Sequence, residues 1–192
     1  RAGVDRLNLQ HGVTAKAPFF LLHRPRRFNP REGCWMGWER KRGKLEQFNS
    51  FVMDGAADGF SVTAGDVQRL VGLPYAIVLD ADTELPPTAA MRLVGLIAHP
   101  LNCARFDAGT GRVVAGYTIL QPRIEILPQP GGGTHFSYLY GGDTAIDIYA
   151  RAVSDVYQDL FGTGIFAGKG IYDIAAMQRV MQGRVPANSI LS

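Results

Sequence analysis

The sequence predicts an α/β fold with a mostly parallel sheet flanked by helices. Three observations carry that expectation. "YAIVL" (75–79) is a continuous apolar run of strand length, as expected for a strand buried on both faces. Leu45, Phe48 and Val52 recur at helical spacing, as do Ala90, Leu93, Val94, Ile97 and Ala98. Strand-like and helix-like segments alternate along the chain, which favours crossover connections.

Taken in order, "PFFLL" (18–22) reads as a short buried strand that runs into a basic stretch. "GKLEQFNSFVMDG" reads as a helix that stops near Gly55. Residues 56–74 carry no clear period. Tyr75–Leu79 follows as a strand. Pro86-Pro87-Thr88 then opens a helix that Pro100 ends, with proline placed where its missing N–H costs least. "RVVAGYTILQP" (112–122) reads as a second strand, with "RIEIL" as a possible continuation past Pro122. "PQPGGG" (128–133) is a turn or loop. Ile146, Tyr149, Val153, Val156 and Leu160 suggest a helix, the segment 161–173 is punctuated by glycine, and 174–182 forms a final short helix.

Composition bounds the class. The chain has 192 residues, 46% hydrophobic and 19% charged, which is ordinary for a globular protein and enough for one domain with its own core. Two cysteines make no disulfide framework and favour a reducing compartment. No Cys/His spacing suits zinc, and no apolar stretch approaches the ~20 residues of a membrane span. The chain starts at Arg1 rather than Met and stops at Ser192 behind an apolar pair, so the expectation is a piece of a longer protein. Net charge is +3, but residues 23–44 hold eight Lys or Arg against two acids, which leaves the remainder at −3. Such an excess suggests an anionic partner.

Each candidate site has a plainer reading beside it. Asp80 and Asp82 stand one residue apart at the exit of the 75–79 strand. Two such carboxylates can hold Mg²⁺ or Mn²⁺ against a diphosphate, at the strand end where α/β sheets place ligands. Alternatively, Asp82 or Thr83 caps the next helix and Asp80 forms a turn. The basic stretch, with Trp35 and Trp38, suits nucleic acid, a sugar-nucleotide diphosphate, or only a solvated surface. The four histidines are scattered, which favours structural roles. "GTGIFAGKG" offers backbone N–H groups and Lys169 to phosphates, though its spacing is not that of a Walker loop. Gln121 and Arg123, in "LQPR", are site groups or edge residues.

Six blocks in order, "FFLLHRPRRFNPREGCWMGWERKRGKLEQFN", "VLDADTELP", "RLVGLIAHPLN", "GYTILQPR", "AVSDVYQDLFGTGIFAGKGIYD" and "GRVPANSILS", strongly resemble the glycosyltransferase region of bacterial cyclic β-1,2-glucan synthases. The resemblance runs from about Pro18 to Ser192, and its motif order is more distantly similar to cellulose-synthase-like processive transferases. It implies a GT-A-like fold, here incomplete at both ends, with residues 1–192 as the central part of one glycosyltransferase domain of a larger membrane protein. It implies an inverting transfer of glucose from UDP-glucose to a growing β-1,2-glucan, at the cytoplasmic face of the bacterial inner membrane. The implied partners are UDP-glucose, a glucan acceptor and the rest of the parent protein, with no role for nucleic acid. Asp80 and Asp82 match the family's metal-binding D-x-D. Lys44 matches a position facing the donor nucleotide, Gln121 and Arg123 a segment lining the donor and acceptor cleft, and Gly164–Lys169 a glycine-rich segment beside the acceptor. The general base is expected as His-Asp just after the segment matching "NSILS". An aspartate contacting the nucleotide base is expected before Arg1, so residues 1–192 alone are expected to be inactive. The rival from another class is a nucleic-acid-binding module built on residues 23–44. A third reading is an interaction domain with a degenerate site, against which the intact Asp-Ala-Asp speaks.

Overall fold

Among the described residues, every strand is four residues long or shorter, and each finds its partner by antiparallel pairing. This computed structural model describes residues 1–11, 17–122 and 168–181. It is mixed α/β, with four helices and nine strands among the described residues. The expected parallel ladder is not found there: the one parallel contact is an isolated bridge between Cys103 and Tyr117. "RIEIL", "PQPGGG", the 143–160 helix and Arg123 lie outside the described residues. Two compact units divide the chain, Arg1–Pro74 with Ile174–Ser192, and Tyr75–Asp173.

The first unit contains α1 (Ala2–His11), β1 (Leu21–His23), β2 (Arg27–Asn29), β3 (Cys34–Met36), α2 (Arg40–Asp54) and β4 (Val62–Ala64). A 3-10 turn at Val67–Leu70 and α4 (Ile174–Met181) complete it. The strand expected at 18–22 forms at β1, shifted toward the basic stretch, and pairs with β4. β2 and β3 make a hairpin in which Phe28 faces Trp35 across the strands, rings edge-on at 5.9 Å. α2 ends at Gly55, whose φ of 75° and N–H bond to the Phe51 carbonyl are the expected glycine stop. Phe51 and Val52 are fully buried, and Phe51 meets Phe60 edge-on. α4 packs against α2.

Three strands form the sheet of the second unit: β5 (Tyr75–Val78), β8 (Ile119–Leu120) and β9 (Gly170–Asp173). Their order is β5-β9-β8. β9 is antiparallel to both neighbours, so β5 and β8 run in the same direction on either side of it. The register places Ile77 beside Ile171 and Ile171 beside Leu120, which puts these side chains on one face. α3 (Ala89–Ile97) covers that face with Leu93 and Ile97, and Tyr75, Ile77 and Leu120 pack around them. Burying Leu93, Ile97 and Ile171 stabilises by about 1.5–3 kcal/mol each, and the partly buried neighbours contribute less. The buried stripe of α3 is narrower than its sequence pattern, since Val94 is exposed.

The strand expected over 112–122 is two strands. β7 (Val113–Ala115) pairs with β6 (Arg105–Phe106), and β8 joins the main sheet. Gly116 separates them with φ at 73°, and its Cα lies so close to the Cys103 carbonyl that a Cβ would collide with it. A side chain here would break the turn that redirects the chain.

Candidate active site: the edge where three strand ends meet

The antiparallel insertion of β9 decides what meets at the sheet edge. The carboxyl ends of β5 and β8 and the amino end of β9 share one edge, because Val78 pairs with Gly170 and Leu120 with Ile171. Asp80 leaves β5 at this edge, Gln121 leaves β8, and Lys169 enters β9. Lys169 Nζ stands 3.3 Å from Asp80 Oδ2. The Asp80 side chain is 40% exposed and that of Lys169 24% exposed, so the ion pair is open to solvent and worth at most about 1 kcal/mol of stability. Gly170 makes the close approach possible. At φ 147°, its Cβ position would fall 2.5 Å from the Leu120 carbonyl oxygen and 3.2 Å from Gln121 Cα.

Asp80 does begin a turn, with its carbonyl accepting from the Thr83 N–H at 3.1 Å. Neither Asp82 nor Thr83 caps a helix. α3 begins at Ala89, and its N-cap is Thr88, left-handed at φ 67° and making no side-chain cap bond. Asp82 is exposed within the 80–83 turn. Two partly exposed carboxylates in one turn fit a hard divalent cation that keeps several waters and takes its remaining oxygens from a phosphate. No group of three or more His, Cys, Asp or Glu gathers among the described residues, so a closed all-protein cage is not what this edge offers.

Of the residues singled out in the sequence, the structure brings Asp80, Lys169 and Gln121 to one edge, with Asp82 two positions on from Asp80. Lys44 belongs to the first unit, exposed on α2, and Arg123 lies outside the described residues. The basic stretch is less available than its sequence suggests. Arg24 donates from Nη1 to the Trp38 carbonyl and Gln47 Oε1, and from Nη2 to the Arg40 carbonyl. Burial holds the Arg24 pKa below the usual arginine range. Glu39 and Arg40, both left-handed, form the start of α2 that this guanidinium clasps. Arg40 pairs with Glu32 at 3.0 Å and Arg42 with the buried Glu39 at 2.6 Å. A clasp role for Arg24 was hidden in the sequence by the charges around it.

No family model matches the chain. The chain is 40% identical over 190 residues, 98% of its own length, to the cyclic β-(1,2)-glucan synthase NdvB of Rhizobium meliloti (strain 1021). It spans 7% of the length of that relative. The match runs through both units and includes the edge just described. No helix among the described residues is long and apolar enough to cross a membrane. The chain is therefore a relative of the cyclic β-1,2-glucan synthases, corresponding to one short stretch of such a protein.

Proposed function

We propose that this chain contributes the donor-binding edge of a GT-A-like glycosyltransferase, which transfers glucose from UDP-glucose to a growing β-1,2-glucan with inversion. The observation that carries the reading is the convergence of Asp80, Lys169 and Gln121 at one sheet edge of a chain related to a glucan synthase. Nucleotide-activated glucose is α-linked, so a β-linked product requires a single in-line displacement. Asp80 and Asp82 would hold Mg²⁺ or Mn²⁺, which when bound neutralises the diphosphate and acts as a Lewis acid on the leaving group. Lys169 adds a mobile positive charge where negative charge builds on the departing UDP. Gln121 lines the cleft from the end of β8. The Lys44 and Arg123 assignments rest on the family resemblance.

UDP and a DNA duplex are titrated into the intact protein with and without Mn²⁺. The expected result is UDP binding that requires Mn²⁺ and little affinity for DNA. DNA binding that is independent of Mn²⁺ and falls steeply with salt would instead favour a nucleic-acid module.

A further inference from the structure

In the proposed site Asp80 holds a divalent cation, yet in the structure the same carboxylate pairs with a lysine. Both partners are held by their backbones. Val78 and Gly170 are paired, which sets Asp80 just past one strand and Lys169 just before the next. Gly170, next to Lys169, is paired with Val78 and packs closely against the Leu120 carbonyl. The lysine stem has four methylenes, and its head can travel several ångströms while its Cα stays fixed.

The charges do not tolerate a static arrangement. An ammonium 3.3 Å from Asp80 Oδ2 opposes a divalent cation on that carboxylate, since the two positive charges would stand close together. A diphosphate changes the balance, because it offers the ammonium a new partner of higher negative charge. The same lysine therefore works against the metal alone and in favour of the metal with nucleotide.

We propose that Lys169 is an exchangeable counter-ion for Asp80. It occupies the carboxylate while the donor is absent and moves to the donor's diphosphate when metal and nucleotide enter. The exchange makes binding of the two cooperative, and it guards Asp80 against metal without donor. This inference rests on the donor-site reading. Because the coupling is reciprocal, metal strengthens nucleotide binding by the factor that nucleotide strengthens metal binding. The pair is partly exposed, so each arm should be worth roughly threefold to fivefold, and the coupling about tenfold.

The test uses the intact protein as wild type, Lys169→Met, Lys169→Arg and Asp80→Asn, with Lys169→Gln as a second neutral variant should the methionine variant fail to fold. Mn²⁺ affinity is read from the electron paramagnetic resonance of the free ion, with and without UDP. UDP affinity in Mn²⁺ is read by calorimetry. The two effects of Lys169→Met should have opposite signs: Mn²⁺ alone binds more tightly, and UDP in Mn²⁺ binds more weakly. Lys169→Arg should keep the wild-type signs. If the neutral variant moves both affinities in one direction, or only one of them, the counter-ion exchange is wrong. Loss of Mn²⁺ binding in Asp80→Asn would then still uphold the donor site. Unchanged Mn²⁺ and UDP affinities in Asp80→Asn would overturn the donor site, and the exchange with it.

Discussion

Replacing Gly170 by alanine should separate β8 from β9 and spoil the sheet edge. The added Cβ would sit 2.5 Å from the Leu120 carbonyl oxygen, well inside van der Waals contact. The obstacle is backbone, so no side chain can swing aside. Alanine at φ 147° is also strained wherever it finds room. Strain of this kind costs about 1–3 kcal/mol. Loss of a β8–β9 ladder hydrogen bond adds about 1 kcal/mol. A penalty of about 2–4 kcal/mol corresponds to roughly two orders of magnitude in local opening. Hydrogen–deuterium exchange of the intact protein, read on peptides covering residues 117–122 and 168–174, measures this directly. We expect faster exchange at Ile119, Leu120 and Ile171, with the Tyr75–Val78 strand less affected. Unchanged protection in both peptides would refute the tight β8–β9 approach, and with it the placement of Gln121 beside Gly170.

Arg24→Met should loosen the start of α2 by about 2–4 kcal/mol, because three acceptors lose a charged donor. A fall in denaturation midpoint, not rescued by Arg24→Lys, is the expected readout, since one compact ammonium cannot span the acceptors that Nη1 and Nη2 reach from separate positions. The β6–β7 turn should show acid sensitivity. Asp107 accepts from the Thr110 N–H, the Thr110 hydroxyl and the Gly109 N–H, which hold its pKa below the usual aspartate range. A lowered carboxylate pKa stabilises above the unfolded value near 4 and loses that contribution as pH falls through the folded value. Exchange protection at Gly109 and Thr110 should therefore differ between wild type and Asp107→Ala at neutral pH, and the difference should vanish in strong acid.

The elements legible in the sequence are those whose signal is local. α2 with its Gly55 stop, β5 as an apolar run, α3 behind its prolines and α4 all form where period and punctuation place them. The β9 strand was hidden because Gly168 and Gly170 make its start read as loop, while Ile171 and Tyr172 are too few to show a period. Its pairing with β5 joins residues far apart in the chain, which no window of sequence reports. The pairings of β9 replaced the expected parallel ladder with antiparallel ones, and the left-handed Gly116, close against the Cys103 carbonyl, divides the 112–122 strand. The same logic holds at the site. Asp80 was visible as an acid at a strand exit and Lys169 as a cation among glycines, but their contact follows only from the Val78–Gly170 register. In the basic stretch, charge was legible and its use was not: whether a guanidinium meets solvent or clasps a helix start depends on the fold around it.

In the proposed site, Asp80 and Asp82 hold the cation of a metal–nucleotide complex at the β5 exit. Anomalous scattering from Mn²⁺ in crystals of the intact protein grown with UDP tests it most directly. A manganese peak is expected within about 2.0–2.3 Å of carboxylate oxygens of the Asp80–Thr83 turn, next to the diphosphate. Lys169 should then stand against a phosphate oxygen rather than Asp80 Oδ2. A manganese–UDP complex bound elsewhere, with the Lys169–Asp80 pair intact, would contradict it.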